Sequence, residues 1–133
     1  MYKPLFVFTL LLLSFNAFSQ QAATDTTAET EDEIFQRVEK EAEFPGGQRA
    51  WRAFLESNLN GDVATKNKAP LGKYTVIVQF IVGLDGTISN IEATTSYGYG
   101  MEKEVMRVIR KCPKWTPAEQ NGRKVKAYRR QPI

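Results

Sequence analysis

The stretch that decides the fold is KCPKWTPAEQNGRKVK, residues 111–126. Pro113 ends a preceding apolar helix, because proline lacks a backbone N–H and its ring clashes with the previous turn. Trp115 lies between two prolines, which favours a core side chain over a partner contact. Asn121-Gly122 is a strong signal for a hairpin-type turn. The stretch therefore predicts a helix end, a rigid elbow, a turn and a final strand over residues 123–131.

Two segments, residues 47–59 and 101–112, carry apolar side chains at helical spacing. The two stripes are Trp51, Phe54, Leu55 and Leu59, and Met101, Val105, Val108, Ile109 and Cys112. We therefore predict two helices, each with one apolar face to bury. Because Cys112 lies on the second stripe just before a proline, we interpret it as a buried structural cysteine and not as a redox switch.

Residues 73–83 alternate between two faces in the manner of a β-strand. Leu84-Asp85-Gly86 forms a turn, in which we interpret Asp85 as a turn residue and not as a metal ligand. Residues 87–95 return as a second strand. Its isoleucines are out of phase for a period of two, which predicts a bulge near Ser89-Asn90.

Two helices with one apolar face each and a small antiparallel sheet must bury those faces against one another. We therefore predict an α+β fold, a two-layer sandwich of two helices on one face of an antiparallel sheet of about three strands. A chain of 133 residues has room for one such domain, over residues 44–133. Residues 34–44 fit either a short extended segment or a single helical stretch, and both alternatives stay open.

The N-terminal residues 1–19 have the pattern of a cleaved export signal. Lys3 provides the positive charge, Leu5 to Leu13 is apolar, and Ala17-Phe18-Ser19 fits the small-x-small cleavage pattern. The alternative is an uncleaved membrane anchor, but the apolar run reaches only about 21 Å as a helix, against about 30 Å of hydrocarbon. We therefore predict an exported protein.

Charge is distributed unevenly along the exported part of the chain. Residues 20–43 are predicted to be a flexible leader, and residues 25–43 are acidic. A basic set follows near the C-terminus: Arg123, Lys124, Lys126, Arg129 and Arg130. This set is interpreted as an edge that discourages aggregation, as a steering surface for a partner, or as a site for an anionic polymer. We expect the acidic residues to fold back weakly on it.

The chain has no histidine and one cysteine, which excludes zinc sites built on histidine, Ser-His-Asp catalysis and an intramolecular disulfide. A formal net charge of +3 is too small to argue for nucleic acid. Glu102, Glu104 and Glu119 show no spacing that pairs two carboxylates across a site. We predict no enzyme activity, no catalytic residue, no metal and no cofactor, and hence a binding or structural role.

The strands and the elbow together resemble one known family. YTVIVQFIV at residues 74–82, DGTISNI at 85–91 and the elbow PKWTP at 113–117 are similar to the central hairpin and the elbow of the TonB C-terminal domain. FPGG at residues 44–47, followed by an aromatic helix, is similar to a Bacteroidetes-type version of that domain. The resemblance covers residues 44–133.

The resemblance implies a periplasmic binding module linked to TonB-dependent transmembrane transport. In this family the domain engages TonB-dependent outer-membrane transporters, whose TonB box is captured as a strand added to the domain's final strand. The recruiting edge, carried over to this chain, comprises Lys124, Val125, Lys126, Ala127, Tyr128, Arg129 and Arg130. With a cleaved signal in place of a membrane helix, the protein would act as an accessory or a competitor and not as a complete transducer.

The alternative hypothesis is a cell-envelope scaffold without energy transduction. It would bind peptidoglycan, or form a homodimer through the open strand edge. Export argues against nucleic acid as the partner.

Overall fold

The computed structural model describes residues 32–133. The predicted signal peptide, residues 1–19, and residues 20–31 of the predicted leader lie outside the described part. The elements in chain order are α1 (Gly47–Asn58), α2 (Val63–Lys66), β1 (Ile77–Val82), β2 (Ile88–Ala93), α3 (Met101–Ile109), β3 (Ala118–Gln120), β4 (Arg123–Val125) and β5 (Ala127–Pro132). Across residues 32–133, no helix combines the length and the apolar character needed to cross a bilayer.

The predicted α+β fold is confirmed. A three-stranded antiparallel sheet has the order β2-β1-β5, and β3 and β4 form a separate hairpin. Side chains of α1, β1 and α3 form one apolar core, in which Val78 and Phe80 of the central strand have no exposed surface. The bulge predicted in β2 is also present, because Asn90 and Ile91 lie opposite the single residue Phe80 of β1.

Both predicted helices are present, with small differences at their ends. α3 ends at Ile109, and residues 110–112 follow as a turn before Pro113. Cys112 is partly buried and packs against the core. Burial raises the pKa of its thiol to about 11, so it is protonated at neutral pH and is a poor nucleophile. The short helix α2 lies outside the two segments for which the sequence predicts a helix.

The predicted final strand over residues 123–131 is wrong in one respect, because it is two strands. β4 pairs with β3 across the Asn121-Gly122 turn, whereas β5 pairs with β1. Lys126 separates them. The chain changes its pairing partner at this residue, so a single continuous ladder cannot form.

Trp115 is a core side chain, as predicted. It is 3% exposed, and its ring packs edge-on against Phe44, Trp51 and Phe80 with centroids 5.1–5.8 Å apart. Its backbone N–H donates to Gly86 O at 2.9 Å. A Cβ on Gly86, which has a φ of +83°, would lie 2.0 Å from Trp115 O. The elbow and the β1–β2 turn are therefore fixed to each other by direct backbone contact.

Residues 34–43, which we call the strap, contain no helix, and isolated β-bridges lie at residues 35, 40 and 43, with bends between the first two. Lys40 and Glu119 exchange backbone hydrogen bonds of 2.9–3.1 Å, and Glu43 and Thr116 exchange bonds of 2.8–3.0 Å. Phe35 reaches β5. Of the two alternatives left open for this segment, the helical one is wrong. The sequence interpretation assigned residues up to 43 to a leader, and these contacts join the strap to the domain.

Candidate partner-binding edge

β5 lies at one edge of the sheet, and its hydrogen-bonding direction follows from one pair of residues. Val76 and Ile133 exchange both of their backbone hydrogen bonds, each 2.8 Å long. Hydrogen-bonded pairs alternate along an antiparallel ladder, so residues 127, 129 and 131 also direct their backbone groups towards β1. Tyr128, Arg130 and Pro132 therefore direct theirs outward, away from the sheet.

Phe35 of the strap occupies the first half of this outer edge. Its N–H donates to Lys126 O at 2.9 Å, and Tyr128 N–H donates to Phe35 O at 3.0 Å. The two residues Phe35 and Ala127 lie side by side as a parallel bridge. The Phe35 ring is partly buried and packs against the core.

Within residues 32–133, nothing pairs with the second half of the edge. Considering residues 32–133 alone, no backbone or side-chain group hydrogen-bonds to the carbonyl of Tyr128 or to the N–H and carbonyl of Arg130. Pro132 has a carbonyl but no N–H. The open half thus presents one outward donor with acceptors on both sides of it, the pattern that another strand can pair with.

The seven residues predicted to form the recruiting edge have three different environments. Lys124 and Val125 belong to the β3–β4 hairpin, and Lys126 joins it to β5. The side chains of Val125 and Ala127 are buried in the core. A partner can therefore contact only the backbone of Val125 and Ala127.

The remaining three predicted residues lie on β5 and point to opposite faces. Arg129 is on the helix side and donates to Glu41 Oε2 of the strap at 2.8 Å. Its guanidinium Nε is buried without a hydrogen-bond acceptor among the described residues. Tyr128 and Arg130 lie on the other face, opposite Ile81 and Gln79 of β1. Arg130 is exposed.

Sequence reasoning did not assign Phe35 or Glu41 to the edge. The available signal was the opposite charge of residues 25–43 and the basic C-terminal set, from which we expected the acidic residues to fold back. The described part of that acidic segment does so through Glu41 and Arg129. Phe35 carried no such signal, because a parallel contact with a distant strand leaves no local pattern.

Most of the basic set is not neutralised by the fold. Arg129 has Glu41 as its partner, whereas no acidic group of residues 32–133 forms an ion pair with the other four, Arg123, Lys124, Lys126 and Arg130. Exposed cations around an open strand edge raise the local potential and attract negatively charged partners. The three interpretations of the basic set remain predictions.

Two other carboxylates have structural explanations. Asp85 accepts hydrogen bonds from the N–H and hydroxyl of Thr87, which lower the pKa of its carboxyl and make it a turn residue. Glu104 is paired with Arg107 and accepts the N–H of Asn60 at 2.9 Å. The Arg107 hydrogen bond is the main cause that lowers the pKa of Glu104 from 4.5 to about 2. Residues 32–133 hold no cluster of three or more acidic or cysteine side chains placed to bind a metal ion.

Residues 74–133 match the family model described as Gram-negative bacterial TonB protein C-terminal. This part of the chain belongs to the TonB C-terminal domain family. The family is linked to TonB-dependent transport, and its domain is a non-enzymatic protein-interaction domain of the cell envelope that contacts outer-membrane receptors. The match begins just before β1 and includes the whole of β5. No curated protein and no solved structure matches the chain significantly.

Proposed function

We propose that this TonB C-terminal domain binds the N-terminal segment of TonB-dependent outer-membrane transporters, their TonB box or plug, by strand addition to the outer edge of β5. The observation that carries the proposal is the open half of that edge, with the outward N–H and carbonyl of Arg130 and the carbonyl of Tyr128. The predicted edge, residues 124–130, thereby narrows to residues 128–132.

Strand addition suits this surface because it draws its affinity from main-chain hydrogen bonds. The side chains of Val125 and Ala127 are buried in the core, so a partner cannot contact them. Selectivity for the partner's sequence comes from the side chains that flank the added strand. These are Tyr128 and Arg130 on one face and Arg129 on the other. The four cations that lack an ion-pair partner among residues 32–133 speed the encounter with a negatively charged partner.

The protein acts outside the cytoplasm, in the periplasm, after cleavage of residues 1–19. It has no enzymatic role and uses no cofactor. It holds a transporter segment as an accessory or a competitor of a membrane-anchored transducer. Peptidoglycan binding and self-association through the same edge stay predictions, and co-sedimentation with purified cell wall and the sedimentation coefficient of the purified chain test them.

The experiment compares two substitutions at Arg130 by isothermal titration with synthetic N-terminal transporter peptides. Arg130→Pro removes the outward N–H, and β5 keeps its ladder because that N–H does not face β1. Arg130→Ala removes the same side chain and keeps the N–H, so it is the matched control. We expect Arg130→Pro to weaken binding about tenfold relative to Arg130→Ala, the effect of about one lost hydrogen bond.

Unfolding curves of both variants establish that β5 is intact. Equal affinities for Arg130→Pro and Arg130→Ala would place the binding site elsewhere. The absence of binding by the unsubstituted chain at millimolar peptide would remove the proposed function altogether.

A further inference from the structure

The strap lies across the surface that the proposed function uses. Phe35 takes up the outward carbonyl of Lys126 and the outward N–H of Tyr128, which are the first donor and acceptor along the edge. An incoming strand that pairs with the whole of β5 must bond to the same two groups. Both strands cannot occupy this half of the edge at once.

The strap is anchored at two places that are independent of each other. One anchor is the single residue Phe35 on β5. The other is residues 39–43, where Lys40 and Glu43 pair with the elbow and β3, and where Glu39 N–H donates to the Gln120 side chain at 3.0 Å. The second anchor has four backbone hydrogen bonds, and the first has two.

The segment between the two anchors is held by one side chain, Val38, which is partly buried against the core. Residues 36–38 make no backbone hydrogen bond to any other part of residues 32–133, and Gln36 and Arg37 are exposed. Release of Phe35 therefore breaks two hydrogen bonds and exposes one partly buried ring, while residues 39–43 stay in place. The contact that has to be broken is the weaker of the two.

We propose that residues 34–38 of the strap are a reversible competitor for the edge of β5, which closes its first half until an incoming strand displaces Phe35. The role as a regulator of partner binding rests on the proposed function. Strand addition then has two stages: pairing with the open half at Arg130, followed by replacement of Phe35 at Lys126 and Tyr128. The apparent affinity is the intrinsic affinity multiplied by the fraction of molecules in which Phe35 is released.

The test measures peptide affinity in three variants of the exported chain. Phe35→Pro removes the ring and the N–H that Lys126 O accepts. Phe35→Ala removes the ring and keeps that N–H, so the difference between the two isolates the backbone contact. Gln36→Ala, at an exposed neighbour, is the control for an effect of substitution itself.

Two probes separate this proposal from the proposed function. The first is a synthetic peptide with the sequence of residues 32–38, DEIFQRV. The second is a synthetic N-terminal transporter peptide. We expect Phe35→Pro to bind each probe about tenfold more tightly than the unsubstituted chain, which corresponds to about 1.4 kcal/mol. Phe35→Ala should show a smaller gain and Gln36→Ala none. The Tyr128 amide should exchange faster with solvent in both Phe35 variants, and that measurement does not depend on any peptide.

Each outcome decides one of the two claims. If the transporter peptide binds the unsubstituted chain and Phe35→Pro equally, the strap is not a competitor, and the proposed function stands. If the DEIFQRV peptide binds Phe35→Pro more tightly but the transporter peptide binds no variant, the strap closes the edge and the proposed partner is wrong. Unchanged exchange of the Tyr128 amide in both Phe35 variants would overturn the proposal directly.

Discussion

The two edges of the sheet are protected in different ways. At the β2 edge, Asn90 and Ile91 lie opposite the single residue Phe80, and Asn90 has a φ of +50°. This bulge is part of β2 itself, so the edge permanently lacks the regular spacing of backbone hydrogen-bonding groups that an added strand needs. At the other edge, β5 is regular and is covered over half its length by the strap. One edge is interrupted by its own geometry, and the first half of the other is covered by Phe35 of the strap.

This difference is the reason why we propose β5, and not β2, as the edge that accepts a strand. A bulge within the strand disfavours pairing with any partner, including a second copy of the chain. A displaceable segment prevents pairing only until a better strand arrives. Substitutions at one edge should therefore leave strand pairing at the other edge unchanged. We expect effects of decreasing size at four positions.

The largest effect is expected at Gly86, where the turn between β1 and β2 touches the elbow that leads to β5. A Cβ at this position would overlap Trp115 O, and the residue has a positive φ. Gly86→Ala should lower the free energy of unfolding by about 3 kcal/mol. Gly122→Ala is the control, because Gly122 also has a positive φ but open space around it, and about 1 kcal/mol is expected there. Equal losses in urea denaturation would show that the contact with Trp115 does not hold the elbow.

The free energy of unfolding should depend on pH through Glu104, which lies on α3. Its pKa is lowered in the folded state from 4.5 to about 2, so the unfolded chain takes up the proton first as the pH falls. The stabilisation is therefore complete above about pH 4.5 and is lost towards about pH 2, an effect of about 1–2 kcal/mol. In urea titrations between these pH values, the free energy of unfolding should fall less for Glu104→Gln than for the unsubstituted chain. Glu56→Gln, on the exposed side of α1, should follow the unsubstituted chain.

The bulge in β2 should depend on the residue that forms it. Asn90→Val places a β-branched side chain at a positive φ and should lower the free energy of unfolding by about 1 kcal/mol, whereas Asn90→Gly should not. Neither substitution should change peptide affinity at β5. A change in that affinity would mean that the two edges are coupled and not independent.

The smallest effect is expected at the ion pair between the strap and β5. Glu41→Gln removes the partner of Arg129, and a pair whose carboxylate is exposed contributes about 0.5 kcal/mol to the free energy of unfolding. Glu92→Gln on β2 is the control, because Glu92 forms no ion pair within residues 32–133. The loss should shrink in high salt. A loss that ignores salt would show that packing of the strap, and not charge, accounts for it.

Local sequence patterns predicted most of this fold but not the relation between its distant parts. The two helices, the β1–β2 hairpin and the core position of Trp115 follow from periodicity and from proline and glycine chemistry. The bulge at Asn90 follows from a break in the alternation.

The break at Lys126 was not predictable in the same way. The break arises because β4 and β5 pair with different strands, and no local sequence pattern indicates these pairing partners. The contact of Phe35 with β5 is likewise set by residues far apart in the chain. The recruiting role of residues 124–130 thus stays a prediction, and the segment that covers part of this edge was not predicted.

The most direct test of the account is a titration of the isotope-labelled chain with a synthetic N-terminal transporter peptide, followed through backbone amide shifts. We expect the Arg130 amide to shift first and the Tyr128 and Phe35 amides to follow as the strap is displaced. The Ile91 amide on the β2 edge should not shift. Shifts at Ile91 with none at Arg130 would contradict this expectation.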